Sequence, residues 1–320
     1  MAQTEKSASA KSAEVKEMIR RSRHPAERPL TVISCILTLG VFAFLIWLVT
    51  SAIRKPADES AVISALSTFL ALDKEMVADL LKMGAWAVLA IFIWLVAKYV
   101  IALLNERGRA ENEDFTIDEV KSDLPERIAR QYAEIVGLKE APELFFSERH
   151  KSVQLEDVKV YGEDFIVLST SLLADAMSDE RASALRFKLA TKMASISLGY
   201  YGLMFQVMTV GGRLLPILRG FYIKTLVYSA DRMAMEILKK DPEVKVTSEE
   251  VAAMMFESEY LVRTATGKLV KMDKVIEDRR KGFAAQGGLG QFFSRLFSEM
   301  PLLMDRVDAL EHPEKLGRLI

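Results

Sequence analysis

The sequence predicts an α+β protein, mostly α, in which an N-terminal transmembrane helical hairpin precedes a folded domain with a small sheet. Three observations lead there. Residues Pro29 to Ile53 contain no charged side chain, a stretch of twenty-five. Met83 to Leu104 forms a second apolar run with a single charge, Lys98. Beyond residue 124 the pattern changes to helical periods interleaved with short β-rich segments. About 20 apolar residues in a helix cross the hydrocarbon core of a bilayer, so both runs are long enough.

Taken in order, residues 1–28 read as a flexible basic tail. Their first fifteen positions are rich in Ala, Ser, Lys and Glu, and Lys16, Arg20, Arg21, Arg23 and Arg28 follow. Residues 29–104 form the hairpin. Its first span contains ISCILTLGVFAFLIWLV, which is too long and too far from the N-terminus for the core of a signal peptide. The short connecting loop includes the helically spaced AVISALSTFLALDKEMVADLLKM. In the second span Lys98 lies near enough to the end to snorkel, and Trp86 and Tyr99 suit an interfacial aromatic belt. The basic cluster before the first span places the N-terminus in the cytoplasm and returns the chain there after Leu104. The expectation is a multi-pass protein of the plasma (inner) membrane with its main domain cytoplasmic.

Residues 105–124 read as a charged linker and 125–320 as the domain. Pro125 suits a helix start, and ERIARQYAEIVG keeps helical spacing up to Gly137. ELFF, SVQLEDVKVY and DFIVLS read as strands. Ser178 is a candidate N-cap for the helix DERASALRFKLATKMAS. The apolar stretch near 193–228 combines an uncharged segment, Met193 to Gly212, with LLPILRGFYIKTLVY. It reads as a membrane-contacting hairpin in preference to two full spans, with a buried interior helix as the alternative.

Composition removes several function classes. With 43 basic and 44 acidic residues the net charge is −1, which gives no clustered basic excess for nucleic acid. The single cysteine, Cys35, excludes a disulfide framework and a Cys-based zinc ribbon. The three histidines, His24, His150 and His312, are far apart, so the chain contains no His-x-x-x-His pair. No cofactor is expected.

The order of pieces from 125 to 311 resembles the HtpX-like membrane zinc metalloproteases. A helix, a strand after Ala-Pro, a strand pair and SDERASAL opening a helix follow one another as in that family. YSADRMAMEIL resembles the family's Glu-x-x-Ala-Asp helix through Ala230 and Asp231. SEMPLLMDRVDAL resembles its closing element through Ser298, Pro301, Arg306, Val307 and Leu310. The resemblance implies a zincin-like domain behind a membrane anchor. In register with it, the His-Glu-x-x-His slot is Lys188-Leu189-Ala190-Thr191-Lys192, and the third ligand position, four before Asp231, is Val227.

Lysine at neutral pH has no lone pair for zinc, leucine cannot take a proton from water, and valine cannot coordinate. The expectation is therefore a degenerate pseudoprotease without metal or catalytic residues. It would serve as a scaffold, adaptor or regulatory subunit in a membrane complex. The alternative is an active membrane-bound zinc endopeptidase with a different ligand set.

Lys188 and Lys192 share a helical face and are expected to be solvated surface lysines. The competing reading has them fill the former metal pocket and pair with Asp231 or another carboxylate. A Ser-Lys hydrolase built on Ser195 or Ser197 lacks an elbow or oxyanion hole. Family members hold substrate as an added strand along a sheet edge, and the segment Ser152 to Tyr161 lies where the resemblance puts that edge. Ser152, Val158, Val160, Lys188 and Lys192 are thus the candidates for binding a protein partner, a second copy of the chain included. The other expected partner is the lipid bilayer.

Overall fold

The structure, a computed structural model, describes residues 2–54, 61–80, 115–116, 123–147, 158–161, 165–169, 172, 177, 181–244, 246–263, 272–285, 287–298, 300–312, 314 and 317–319, with single positions between 82 and 101. Its elements run α1 (Ala2–Ser22), α2 (Glu27–Arg54), α3 (Ala61–Leu70), β1 (Phe115–Thr116) and α4 (Leu124–Val136). Then come β2 (Glu143–Ser147), β3 (Val158–Tyr161), β4 (Phe165–Ser169), α5 (Ser183–Ser197), α6 (Leu203–Met208) and α7 (Val210–Leu214). The chain continues through α8 (Pro216–Lys239), α9 (Ser248–Arg263), α10 (Met272–Ala285), α11 (Gly287–Phe297) and α12 (Leu303–Glu311).

The first segment departs from expectation. Residues 2–22 are helical, not a flexible tail. Glu17 bridges Arg20 and Arg21 one turn on, Met18 is buried, and Glu14 and Lys11 reach Lys240 and Glu134 of the domain. Ala, Lys and Glu are strong helix formers, and these one-sided contacts give the helix a surface to lie on. Gly137 ends α4 in the left-handed conformation at φ 74°, and a Cβ there would meet Val15 of α1 at 3.4 Å.

α2 is long and apolar enough to cross a membrane. Over Glu27–Phe44 its mean hydropathy is 1.5 and 17% of the window is buried. A core helix would be mostly covered, whereas here Val32, Ile33, Ile36, Leu39, Phe44 and Trp47 are exposed. The second expected span falls largely outside the described residues. Those of its positions that are described are helical, and Trp86, Trp94 and Ile101 are exposed.

The domain is built around α5, which α4, α8 and α9 enclose. Its Leu185, Phe187, Leu189, Ala190, Met193 and Ala194 are all buried. α5 starts at Ser183 behind Ala182, which has φ 47°. The expected cap at Ser178 lies outside the described residues, and the helix is four residues shorter at its start than its sequence pattern suggests. The sheet has the order β1-β2-β4-β3. β2 and β4 are parallel, and the outer pairs are antiparallel. Alternation sends Leu144, Phe146, Ile166 and Leu168 into the main core, while Phe145, Phe165 and Val167 form a smaller cluster on the other face.

The apolar stretch near 193–228 turns out as two helices of 6 and 5 residues followed by α8. Neither short helix can span a bilayer. α7 packs against α2, where the Thr38 hydroxyl donates to the Met208 carbonyl and accepts from the Gly211 amide, both at 2.8 Å. Close approach requires glycine there, since a Cβ on Gly211 would sit 2.4 Å from the Thr38 nitrogen. One helical span further back, Glu27 is fully buried. It pairs with Arg23 and accepts from Tyr200 at 2.8 Å and Ser229 at 2.6 Å. These two junctions fix α2 against the domain.

Candidate functional site

Four helices converge on the positions that the resemblance marks. α5 supplies Lys188, Leu189 and Lys192, and α8 supplies Val227 and Asp231. α9 supplies Glu259 and α12 supplies Arg306. α9 begins with a reciprocal cap in which Thr247 and Glu250 exchange hydrogen bonds with each other's backbone amides. Its buried stripe of Val251, Ala252, Met255 and Phe256 then turns Glu259 toward α5.

The geometry is a linear chain of alternating charges, Lys188–Glu259–Arg306–Asp231. Lys188 Nζ donates to Glu259 Oε1 at 2.9 Å. Arg306 Nη1 donates to the same oxygen at 3.2 Å. Arg306 also grips Asp231 with both arms of its fork, Nε to Oδ2 at 2.7 Å and Nη2 to Oδ1 at 2.8 Å. The Asp231 side chain is 2% exposed and that of Arg306 9%, against 23% for Glu259 and 14% for Lys188. Two cations face two carboxylates, so the cluster has no net charge. A fork-to-fork contact with a carboxylate is a strong and directional pair.

Lys188 therefore departs from the expected solvated surface lysine. It is largely covered, and its partner is Glu259 because Arg306 occupies Asp231. Leu189 is fully buried in the core. Lys192 and Val227 are half-buried and stand outside the network. Val158 and Val160 lie in β3 at the end of the sheet order, while Ser152 falls outside the described residues. The Ser195 hydroxyl donates back to the Thr191 carbonyl within α5 at 2.9 Å. Sequence reasoning matched Arg306 by position but gave it no partner, and it missed Glu259. A carboxylate one turn beyond Met255 and Phe256, on a buried stripe, was the available signal.

The residues present do not fit a zinc ion. An open catalytic site needs three neutral or anionic donors and a free position. Here both Asp231 oxygens are engaged by a guanidinium, Glu259 lies between two cations, and the remaining slots are apolar or cationic. Among the described residues no three His, Cys, Asp or Glu side chains cluster closely enough to hold a metal.

Burial by itself would raise the pKa of Glu259, but the neighbouring Lys188 and Arg306 charges outweigh it and hold the carboxyl well below its ordinary 4.5. A depressed carboxylate contributes stability that is fully present above the unfolded pKa and lost as pH falls through the folded one. The acid limb of the wild-type melting curve should therefore be steeper below about pH 4.5 than that of Glu259→Gln, whose side chain does not titrate. Parallel acid limbs for the two proteins would remove this role from Glu259.

No family model matches the sequence, and comparison with curated proteins and with solved structures finds no match to either.

Proposed function

We propose that the chain is a non-catalytic integral-membrane pseudoprotease that works as a scaffold, adaptor or regulatory subunit and binds a protein partner. The observation that carries the reading is the ion-pair chain Lys188–Glu259–Arg306–Asp231. It takes up Lys188, one of the three positions where the HtpX-type resemblance calls for a metal ligand, in mutually satisfied ion pairs, while Lys192 and Val227 at the other two offer no ligand. A carboxylate held between two cations is a poor proton acceptor near neutral pH, and the pair Asp231–Arg306 ties α8 to α12 as a structural rivet. α2, with its exposed apolar faces, supports membrane insertion, and the basic residues before it favour a cytoplasmic domain.

The binding surface best suited to a protein segment is the β3 edge of the sheet, beside α5. Among the described residues β3 pairs with β4 alone. Strand addition at such an edge uses main-chain hydrogen bonds and needs no metal. The test places a photo-crosslinking amino acid at Lys159 and, separately, at Lys192, in the intact protein in its membrane. A discrete adduct at 159 is expected, whether a different protein or a second copy of the chain. Val160→Pro should abolish it while the thermal midpoint stays within a few degrees, since proline removes a ladder donor. No adduct at either position, together with zinc-dependent cleavage of a peptide library, would overturn the reading in favour of an active endopeptidase.

A further inference from the structure

α11 is built inside out for a helix facing water. Its sequence, GGLGQFFSRLF, contains one charged residue, Arg295. That residue is buried, bound to both Asp305 oxygens at 2.8 Å and set over the Phe283 ring. Gln291, one turn earlier, donates inward to the Phe283 carbonyl at 3.0 Å. The opposite side carries Leu289, Phe292, Phe293 and Phe297, all exposed, with Leu289 at 78% and Phe297 at 75%. Phe293 and Phe297 stack on each other with centroids 6.2 Å apart. A helix that turns its guanidinium and amide groups to the protein, with Ser294 alone of its polar side chains exposed, and its aromatic groups outward has an apolar medium on that side.

The level at which α11 sits identifies the medium. α8 meets α2 at Glu27 through Ser229, and α7, which immediately precedes α8, meets α2 at Thr38. Between these points α8 and α2 run antiparallel. Lys224 reaches the Arg295 carbonyl, and a Cβ on Gly220 would meet the Ser298 carbonyl at 3.4 Å. Gly220 lies nine residues before Ser229, about 13 Å along the helix at 1.5 Å per residue. The same rise along α2 from Glu27 leads to Ile36. The C-terminal end of α11 thus lies level with the exposed Val32, Ile33 and Ile36 of the candidate span. Arg219, next to Gly220, is exposed at the same level, which suits the headgroup boundary and not the centre of the bilayer. Just before α11, Arg279 is exposed in α10, while Arg280 and Lys281 beside it pair with Glu311 and Glu277.

We propose that α11 is an interfacial membrane helix, its Leu289–Phe293–Phe297 face inserted among lipid headgroups and upper acyl chains beside α2. The inference rests on α2 lying in a bilayer. The experiment reconstitutes the full chain, with Cys35→Ser, in vesicles of phosphatidylethanolamine and phosphatidylglycerol. Single cysteines at Phe293, Ile36 or Lys239 carry an environment-sensitive fluorophore, and quenching is read from lipid nitroxides and from aqueous iodide.

The expected result is lipid quenching at 293 within about two-fold of that at 36, with iodide quenching only at 239. Lipid quenching at 36 with free iodide access at 293 overturns the α11 proposal and leaves the membrane reading standing. Protection of 293 from both quenchers also overturns it, because a protein surface would then cover the helix. Absence of lipid quenching at 36 sinks the membrane reading and the proposal with it.

Discussion

Arg306→Met lowers the thermal midpoint of the detergent-solubilised protein by roughly ten degrees or more. The substitution leaves Asp231 buried at 2% exposure with no counter-charge, and stranding one partner of such a pair costs about 3–5 kcal/mol. For a domain of this size each kcal/mol moves the midpoint about 2–4 °C. Removing both partners behaves differently. Asp231→Leu combined with Arg306→Met should recover much of the loss, because the pair as a whole contributes little net stability and its stranded half is what costs. Differential scanning fluorimetry of the two single variants and the double variant checks this. A double variant no more stable than Arg306→Met would mean the pair does not act as a unit.

Glu27→Leu is the second large effect, and it acts on the junction between α2 and the domain. The Glu27 carboxylate is fully buried and shared by Arg23, Tyr200 and Ser229. Replacing it strands the buried Tyr200 hydroxyl and releases a guanidinium, while Ser229 keeps the Thr225 carbonyl and the His24 amide, a loss of about 3 kcal/mol. Arg23 also holds the Leu198 carbonyl at 3.0 Å, so the turn after α5 loosens with it. Limited proteolysis should cut between residues 198 and 202 several times faster than in wild type. Glu27→Gln, which retains an acceptor and a similar shape, should fall between the two. Equal cleavage in all three proteins would show that Glu27 does not couple α2 to the domain.

Where local rules dominate, the fold was legible in the sequence. Gly137 ended α4 where its left-handed conformation requires a glycine, and Glu143–Ser147 and Phe165–Ser169 are strands at the apolar runs that suggested them. The uncharged run of α2 is one continuous helix. Tertiary partners decided the rest. The docking of α1 depends on Lys240 and Glu134, more than a hundred positions away in the chain. Lys188 had no neighbour in sequence that marked it for Glu259, seventy-one residues on. Arg186, Asp241 and Tyr132 likewise form a buried knot across three segments, with Tyr132 Oη 2.8 Å and Arg186 Nη1 2.5 Å from Asp241. None of them stood out by local pattern. Charged residues on buried helix faces were the common clue, because lysine and arginine are fully covered only where a partner exists.

Zinc analysis of the purified full-length chain, with its melting curve recorded in the presence and absence of a strong chelator, bears most directly on the proposal that an ion-pair chain through Lys188 stands in place of a metal ligand. Well under about one tenth of a zinc per chain and an unchanged midpoint are expected, since Lys188, Glu259, Arg306 and Asp231 satisfy one another and no metal contributes to folding. About one zinc per chain, removed by the chelator with a fall in the midpoint, would contradict it.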